Sequence, residues 1–283
     1  MKSIFRTMAV VAALLCVLSC RMDFLYVQVP DTSWNITKDD QRAFIHFSQE
    51  RASLLQRENS SGLVKVLHGD YSTRGHVINI SVDNADNVKI TRTFSHLKNA
   101  SNKNYSPFWP EACSLEQTVW HTLYRDSLRI LYFRNGAVHR YSFSNVERRE
   151  GIPSVWGKDR SSYSVAGNQV SMGDETATLF PEVMLVGDHW YMHFVQPLES
   201  GCNEMTGSMW TLQGGGYPGC ILFDSNSTFT RISLISNVLY QADRGTYSRS
   251  GDVLTLTLGD VTQECPVAGD GFEFLDKTYE IFN

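Results

Sequence analysis

Repetition constrains this chain more than any other feature. Tyr-Ser, two variable residues, then Gly and alternating apolar positions occur three times: Tyr71-Ser72 with Gly75, Tyr163-Ser164 with Gly167, and Tyr247-Ser248 with Gly251. The tyrosines are 92 and 84 residues apart. A tryptophan precedes each one, Trp34, Trp120 and Trp210, by 37, 43 and 37 residues. Between each pair lies a short apolar run ending in phenylalanine: Phe44-Ile45-His46-Phe47, Ile130-Leu131-Tyr132-Phe133 and Ile221-Leu222-Phe223. Three landmarks in one order at a period of about 88 residues mark a module used three times.

Each landmark has a physical reading. Tyr-Ser-x-x-Gly followed by alternation is a strand, a tight turn and a second strand, with glycine supplying the positive φ of the turn. Val253 to Leu258 alternates with period two, and Val77 to Val82 nearly so, as strands with one buried face do. His189 to Val195 reads as another strand after a Gly187-Asp188 turn. Asp39 to Leu55 has the most helical character, but its Phe44–Phe47 run suits a strand. The chain is therefore expected to be all-β. Eight strands of about five residues nearly exhaust one period, which describes a small antiparallel barrel or sandwich filled by its own side chains. Its core is expected around the three tryptophans, Phe47, Phe133, Phe223 and the three repeat tyrosines.

The organisation follows: residues 1–19 as a signal peptide, 20–30 as a tether, and units at 31–108, 114–199 and 203–283. Lys2 and Arg6 precede an uncharged apolar run from Met8 to Leu18, too short to span a bilayer but of signal-peptide length. Met22 to Val29 is partly apolar and could pair with the first unit. A Ser/Asn/Pro-rich linker is expected at Asn99–Glu111, holding Tyr105, Phe108 and Trp109, and an insertion at Asn145–Arg160, holding Trp156. A net charge of −5 opposes nucleic-acid binding, which requires a basic stripe. With 42% hydrophobic residues the chain can build cores and is not disordered.

Two resemblances add to this. The run Val17-Leu18-Ser19-Cys20 resembles the lipobox of bacterial lipoproteins, which implies that Cys20 becomes an acylated mature N-terminus and a membrane anchor. Leu18 departs from the small residue more usual at its position, so cleavage by the ordinary signal peptidase, with Cys20 incidental, is the alternative. The repeats resemble the small lipocalin-like domains of Bacteroidetes lipoproteins. The third matches best, through Trp210, Ile221-Leu222-Phe223, Gly245-Thr246-Tyr247-Ser248, Gly251-Asp252 and Leu254-Thr255-Leu256. The first matches through Gly69-Asp70-Tyr71-Ser72 and Gly75. The second has Ser161-Ser162 where the family has its first glycine. None has glycine two residues before its tryptophan; those positions are Thr32, Thr118 and Ser208. The resemblance implies tandem lipocalin-like units in the bacterial cell envelope, as an outer-membrane lipoprotein, and carries no activity.

Candidate chemistry is sparse. His189 and His193 are four apart on an expected strand, about 13 Å along it and too far for one metal ion. Gly214 to Gly219 lacks the Lys-Ser/Thr of a phosphate loop and is expected to connect the first two strands of the third unit, with Tyr217 as a candidate contact. No Gly-x-Ser-x-Gly elbow supports a hydrolase nucleophile. Trp109 and Trp156 are candidate ligand contacts on loops, or wedges between units. Cys220 with Cys265 is a candidate disulfide, as is Cys202 with Cys265; no Cys-x-x-Cys points to zinc or redox chemistry. No cofactor or metal is expected. The expected role is non-enzymatic binding of a protein or glycan partner. A surface glycan-binding accessory and an envelope hydrolase with a site between units are the alternatives. Solvent-facing coplanar rings would favour the glycan platform.

Overall fold

The computed structural model describes residues 26–38, 41–58, 60–146, 156–194, 205–214, 218–224, 227–236 and 239–282. The expected signal peptide, Cys20, Cys202 and Tyr217 lie outside the described residues. All regular structure is β, with no helix among the described residues. Accordingly none of them forms a helix long and apolar enough to cross a membrane.

The chain forms tandem small antiparallel barrels of eight strands each. The first repeat contains β1 (Thr32–Lys38), β2 (Gln41–Phe47), β3 (Arg51–Arg57), β4 (Val64–Arg74), β5 (Val77–Val82), β6 (Val88–Arg92), β7 (Leu97–Lys98) and β8 (Asn104–Phe108). The second contains β9 (Thr118–Tyr124), β10 (Ser127–Arg134), β11 (Ala137–Ser144), β12 (Trp156–Ala166), β13 (Gln169–Met172), β14 (Glu175–Leu179), β15 (Val183–Val186) and β16 (His189–His193). The third contains β17 (Met209–Leu212), β18 (Cys220–Phe223), β19 (Thr228–Ser236), β20 (Leu239–Ser250), β21 (Val253–Leu258), β22 (Val261–Pro266), β23 (Gly271–Phe274) and β24 (Lys277–Ile281). The last strand of each repeat returns to pair with the first, β8 with β1, β16 with β9 and β24 with β17. In the first two barrels the ring of pairings closes and removes the sheet edges that would otherwise invite aggregation; in the third, β22 and β23 stand at the two ends of the sheet.

The sequence landmarks fall at matching places. The three Tyr-Ser-x-x-Gly segments form the hairpins β4–β5, β12–β13 and β20–β21, with Gly75, Gly167 and Gly251 at φ of 55°, 63° and 59°. The tryptophans and phenylalanines point inward and are buried. The hydroxyl residue two positions before each tryptophan also has a structural reason. Thr32, Thr118 and Ser208 accept the indole N–H of Trp34, Trp120 and Trp210 at 2.8, 2.9 and 2.8 Å. Each hydroxyl in turn donates to the carbonyl three residues earlier, on Val29, Leu115 or Met205. An indole N–H inside a barrel needs an acceptor, and a glycine there would supply none.

Two expectations are corrected. Asn99–Glu111 is not a linker: it contains β8, and Tyr105 and Phe108 are core residues. Trp156 is not on a loop but begins β12.

The chain divides into two compact bodies. The first comprises residues up to 54 and 67–108; among its described residues one core gathers Trp34, Ile45, Phe47, Leu54, Ile78, Ile80 and Tyr105. The tether enters this body: the Val27 N–H donates to the Thr93 carbonyl, and Val29 is fully buried. The second body comprises residues 55–66 and 109–283 and holds the second and third barrels. Each has its own interior, around Trp120 and Phe133 or around Trp210 and Phe223. A further core joins their outer faces, with Ile130, Tyr132, Tyr141 and Phe143 against Met209, Leu222, Ile232 and Phe282. Burial of both strand faces explains why Leu128 to Phe133 reads as a nearly continuous apolar run.

Candidate functional site

The aromatic candidates separate on inspection. Trp109, just after β8, is 66% exposed, and Trp156 is 47% exposed with its ring 6.1 Å from that of Tyr141. Both face solvent. The sequence reading missed a third exposed aromatic group, in the first body. Phe94 is 73% exposed, and its ring lies parallel to that of Tyr26, 3° apart with centroids at 6.0 Å. The guanidinium of buried Arg92 sits 5.6 Å from the Tyr26 centroid. A tyrosine in the tether and a phenylalanine in a Thr-Arg-Thr-Phe-Ser turn give no periodic signal, so only the fold brings them together.

A buried ionic cluster in the second body was also missed. Arg57 donates from Nη2 to the Phe194 carbonyl at 2.6 Å and from Nε to the Gly62 carbonyl at 2.8 Å. Its Nη1 lies 3.7 Å from buried Asp224, which also receives Arg244 at 3.3 Å. Nearby, the Val64 N–H donates to Nε2 of buried His121 at 2.8 Å, and Thr230 donates to the Ser61 carbonyl at 2.6 Å. Segment 55–66 is thus fixed among β9, β18 and β19. These contacts are made between protein groups and hold the segment in place.

Histidine chemistry is likewise quiet. His189 and His193 sit at the two ends of β16, and the His193 ring lies tilted against Trp120 with centroids 4.9 Å apart. Burial, then the Arg129 charge, lowers the pKa of His189. No group of three metal-binding side chains occurs among the described residues. Among the described residues three hydroxyl–imidazole pairs occur, Ser33 with His46 and Ser53 with His68 at 3.0 Å, and the adjacent Ser95 and His96 at 3.1 Å. Ser33 and His46 are cross-strand partners of β1 and β2 and lie flat on the barrel wall.

The cysteine expectation is corrected. Cys220 and Cys265 are both free and buried. Cys220 lies beside inward-facing Ile221 and so points outward, into the core shared by the second and third barrels. Cys265 points into the third barrel. The barrel wall separates them, a consequence of strand alternation that their sequence positions do not reveal.

The most informative site emerges from comparing one inward position across the repeats. Arg140 on β11 is the register partner of Asp159 on β12, and Arg231 on β19 is the register partner of Asp243 on β20. The aspartates stand four residues before Tyr163 and Tyr247. In the first repeat the corresponding residues are Leu54, in the apolar core, and Leu67, partly buried against it. The final strand adds an inward tyrosine two residues before the partner of each tryptophan: Tyr105, Tyr191 and Tyr279.

The two arginines have different surroundings. In the second barrel Arg140 is saturated. It donates from Nε to Glu175 at 3.1 Å, from Nη1 to Ser161 Oγ at 2.8 Å and from Nη2 to the Met172 carbonyl at 2.9 Å, and Asp159 lies 3.3 Å from Nη1. Ser161 stands where the other repeats have Gly69 and Gly245, so the departure from the repeat pattern supplies a ligand to this guanidinium. In the third barrel the ion-pair partner of Arg231 among the described residues is Asp243, at 3.8 Å. Its Nε is buried with no hydrogen-bond partner among the described residues, as is the hydroxyl of Ser233. Gly245 replaces Ser161. Gln263 stands where Glu175 does, and its side chain is held by the Leu275 N–H and the Glu273 carbonyl. Gly219 stands where Arg129 does. A cavity of about 370 Å³ is bounded by Arg231, Ser233, Tyr279, Lys277, Leu212 and Leu275; one of about 330 Å³ lies beside Arg140 in the second barrel. Pro218 and Gly219, the end of the expected Gly214–Gly219 loop, form part of its rim.

No family model matches the chain, and no curated protein matches it. Among solved structures, a putative DNA polymerase III β subunit from Eubacterium rectale matches at 5% identity and a TM-score of 0.17, over 90% of this chain and 91% of that one. The DNA polymerase III β subunit from Pseudomonas aeruginosa matches at 7% identity and 0.14, over 90% and 92%. That from Thermotoga maritima matches at 8% identity and 0.15, over 92% and 91%. Likeness this slight carries no argument. The class the strands define is an all-β protein of tandem small antiparallel barrels.

Proposed function

We propose that this chain is an envelope lipoprotein, anchored in the bacterial outer membrane through an acylated Cys20, with a binding role and no catalysis. The lipobox-like run and the repeats' resemblance to lipocalin-like domains of lipoproteins support the anchor. The observation that carries the binding role is the exposure of Trp109 and Phe94, in a chain whose other large side chains mostly fill cores. Exposed rings of this size are costly in water unless a partner covers them. The parallel rings of Tyr26 and Phe94 favour a glycan as that partner, because sugar faces stack on flat aromatic surfaces. The Ser33–His46 pair does not favour the hydrolase reading, since Ser33 is buried in the wall.

Fractionation of cells carrying Cys20→Ser tests the anchor. The variant is expected in the soluble fraction; unchanged membrane association would overturn the proposal. Glycan-array binding by wild type, lost on Phe94→Ala or Trp109→Ala with melting unchanged, would support the glycan reading. Binding indifferent to both substitutions would exclude it.

A further inference from the structure

The open end of the third barrel combines three features found together nowhere else among the described residues: a cavity, a buried unsatisfied guanidinium nitrogen and a buried unsatisfied hydroxyl. Unmet buried donors are costly, and proteins keep few of them. The second barrel shows what the same position looks like when satisfied, with Arg140 bonded by protein groups on every side. The third barrel keeps the arginine and lacks those partners. A cavity lies beside each arginine, about 330 Å³ in the second barrel and about 370 Å³ in the third, where Gly219 on the rim stands in place of Arg129.

The missing partner has a definable chemistry. Arg231 Nε–H needs an acceptor, and a carboxylate fits a guanidinium edge. Arg231 and Ser233 are two residues apart on β19, and both residues line the cavity. Arg231 and Lys277 outnumber Asp243 by one charge, which suits a monoanion. The Leu212 and Leu275 side chains form an apolar wall. A cavity of about 370 Å³ falls in the small-molecule range.

We infer that the mouth of the third barrel binds a small amphipathic monocarboxylate, its carboxylate held by Arg231 and Ser233 and its apolar chain lying along Leu212 and Leu275. The second barrel does not share this site, because its own residues occupy the arginine.

Calorimetric titration with sodium octanoate tests this, using the full chain with Cys20→Ser so that no acyl chain of its own competes. One equivalent is expected to bind saturably. Acetate, which lacks the tail, and octanol, which lacks the charge, are each expected to bind at least about tenfold more weakly. Arg231→Met should weaken octanoate at least about tenfold, and Arg140→Met should leave it unchanged. Should Arg231→Met fail to fold, Ser233→Ala serves instead, with a loss of about threefold or more. Absence of saturable octanoate binding, equal binding of octanol, or affinity indifferent to the Arg231 or Ser233 variant would overturn the inference.

Discussion

The second and third barrels share strand order, hairpin glycines, the tryptophan with its hydroxyl acceptor, and an inward arginine opposite an aspartate. They differ in what surrounds that arginine. Arg140 meets Glu175, Ser161 and the Met172 carbonyl, whereas Arg231 among the described residues pairs with a more distant Asp243. The first repeat gives a third version, with Leu54 and Leu67 in place of the charged pair. One architecture thus carries apolar residues, a hydrogen-bonded arginine and an under-satisfied arginine at the same position, the two arginines each beside a cavity, of about 330 and 370 Å³. The fold follows from the shared residues, and the chemistry follows from the two or three that are not shared.

The sharpest way to break this comparison is to remove each arginine in turn. Arg140→Met deletes several charge-assisted bonds and leaves Asp159 and Glu175 without their cation. Because those carboxylates are largely exposed, a loss of about 2–3 kcal/mol is expected. Arg231→Met removes an under-satisfied buried charge from an apolar wall, and stability is expected to change by less than about 1 kcal/mol or to rise. Differential scanning calorimetry of both variants checks this; equal losses would mean the arginines are equivalent.

Exchanging the residues that differ should be milder. Gly245→Ser is expected to cost about 1–3 kcal/mol by overpacking, since a Cβ there would lie 2.5 Å from the Phe229 ring and from the Thr257 carbonyl. Ser161→Gly should cost about 1–2 kcal/mol, from one hydrogen bond and added chain entropy. Urea titrations of the pair measure both; a neutral Gly245→Ser would show that the third barrel tolerates the second barrel's arrangement.

The smallest effect concerns pH. Burial pushes Tyr279, Tyr105 and Tyr240 up to about 12, from 10.0. The folded protein therefore holds these protons more tightly than the unfolded chain, and their contribution is fully present below pH 10. It is lost as pH rises from 10 through 12. Melting temperature is expected to be flat with respect to these groups up to pH 10 and to fall above it, with tyrosinate absorbance appearing in step with unfolding. A large tyrosinate signal near pH 10 from the folded protein would contradict this.

Most of the fold was legible in the sequence because a filled barrel must repeat its inward residues. Tryptophan, phenylalanine and Tyr-Ser-x-x-Gly each recur for that reason, and their spacing located the hairpins. The strands at the end of each repeat were harder. Asn104–Phe108 is polar enough to resemble a linker, because only Tyr105 and Phe108 face a core. The cysteines misled because pairing depends on which side of a wall each thiol occupies. The site was illegible for a different reason. Ser161 registered only as a missing glycine, and Arg231 is one arginine among many until the register sets it against Asp243. Arg57 and Asp224 meet across 167 residues of chain, with no local pattern to announce them.

The central claim is that Arg140 is occupied by its own barrel while Arg231 is free for a ligand. Arginine Nε–Hε resonances report this for both residues in one spectrum, recorded as octanoate is added. The Arg140 signal is expected to be protected from solvent exchange at the start and unmoved throughout. The Arg231 signal is expected to shift with octanoate and saturate at one equivalent. An Arg231 signal that does not move, or movement of both signals together, would contradict the account.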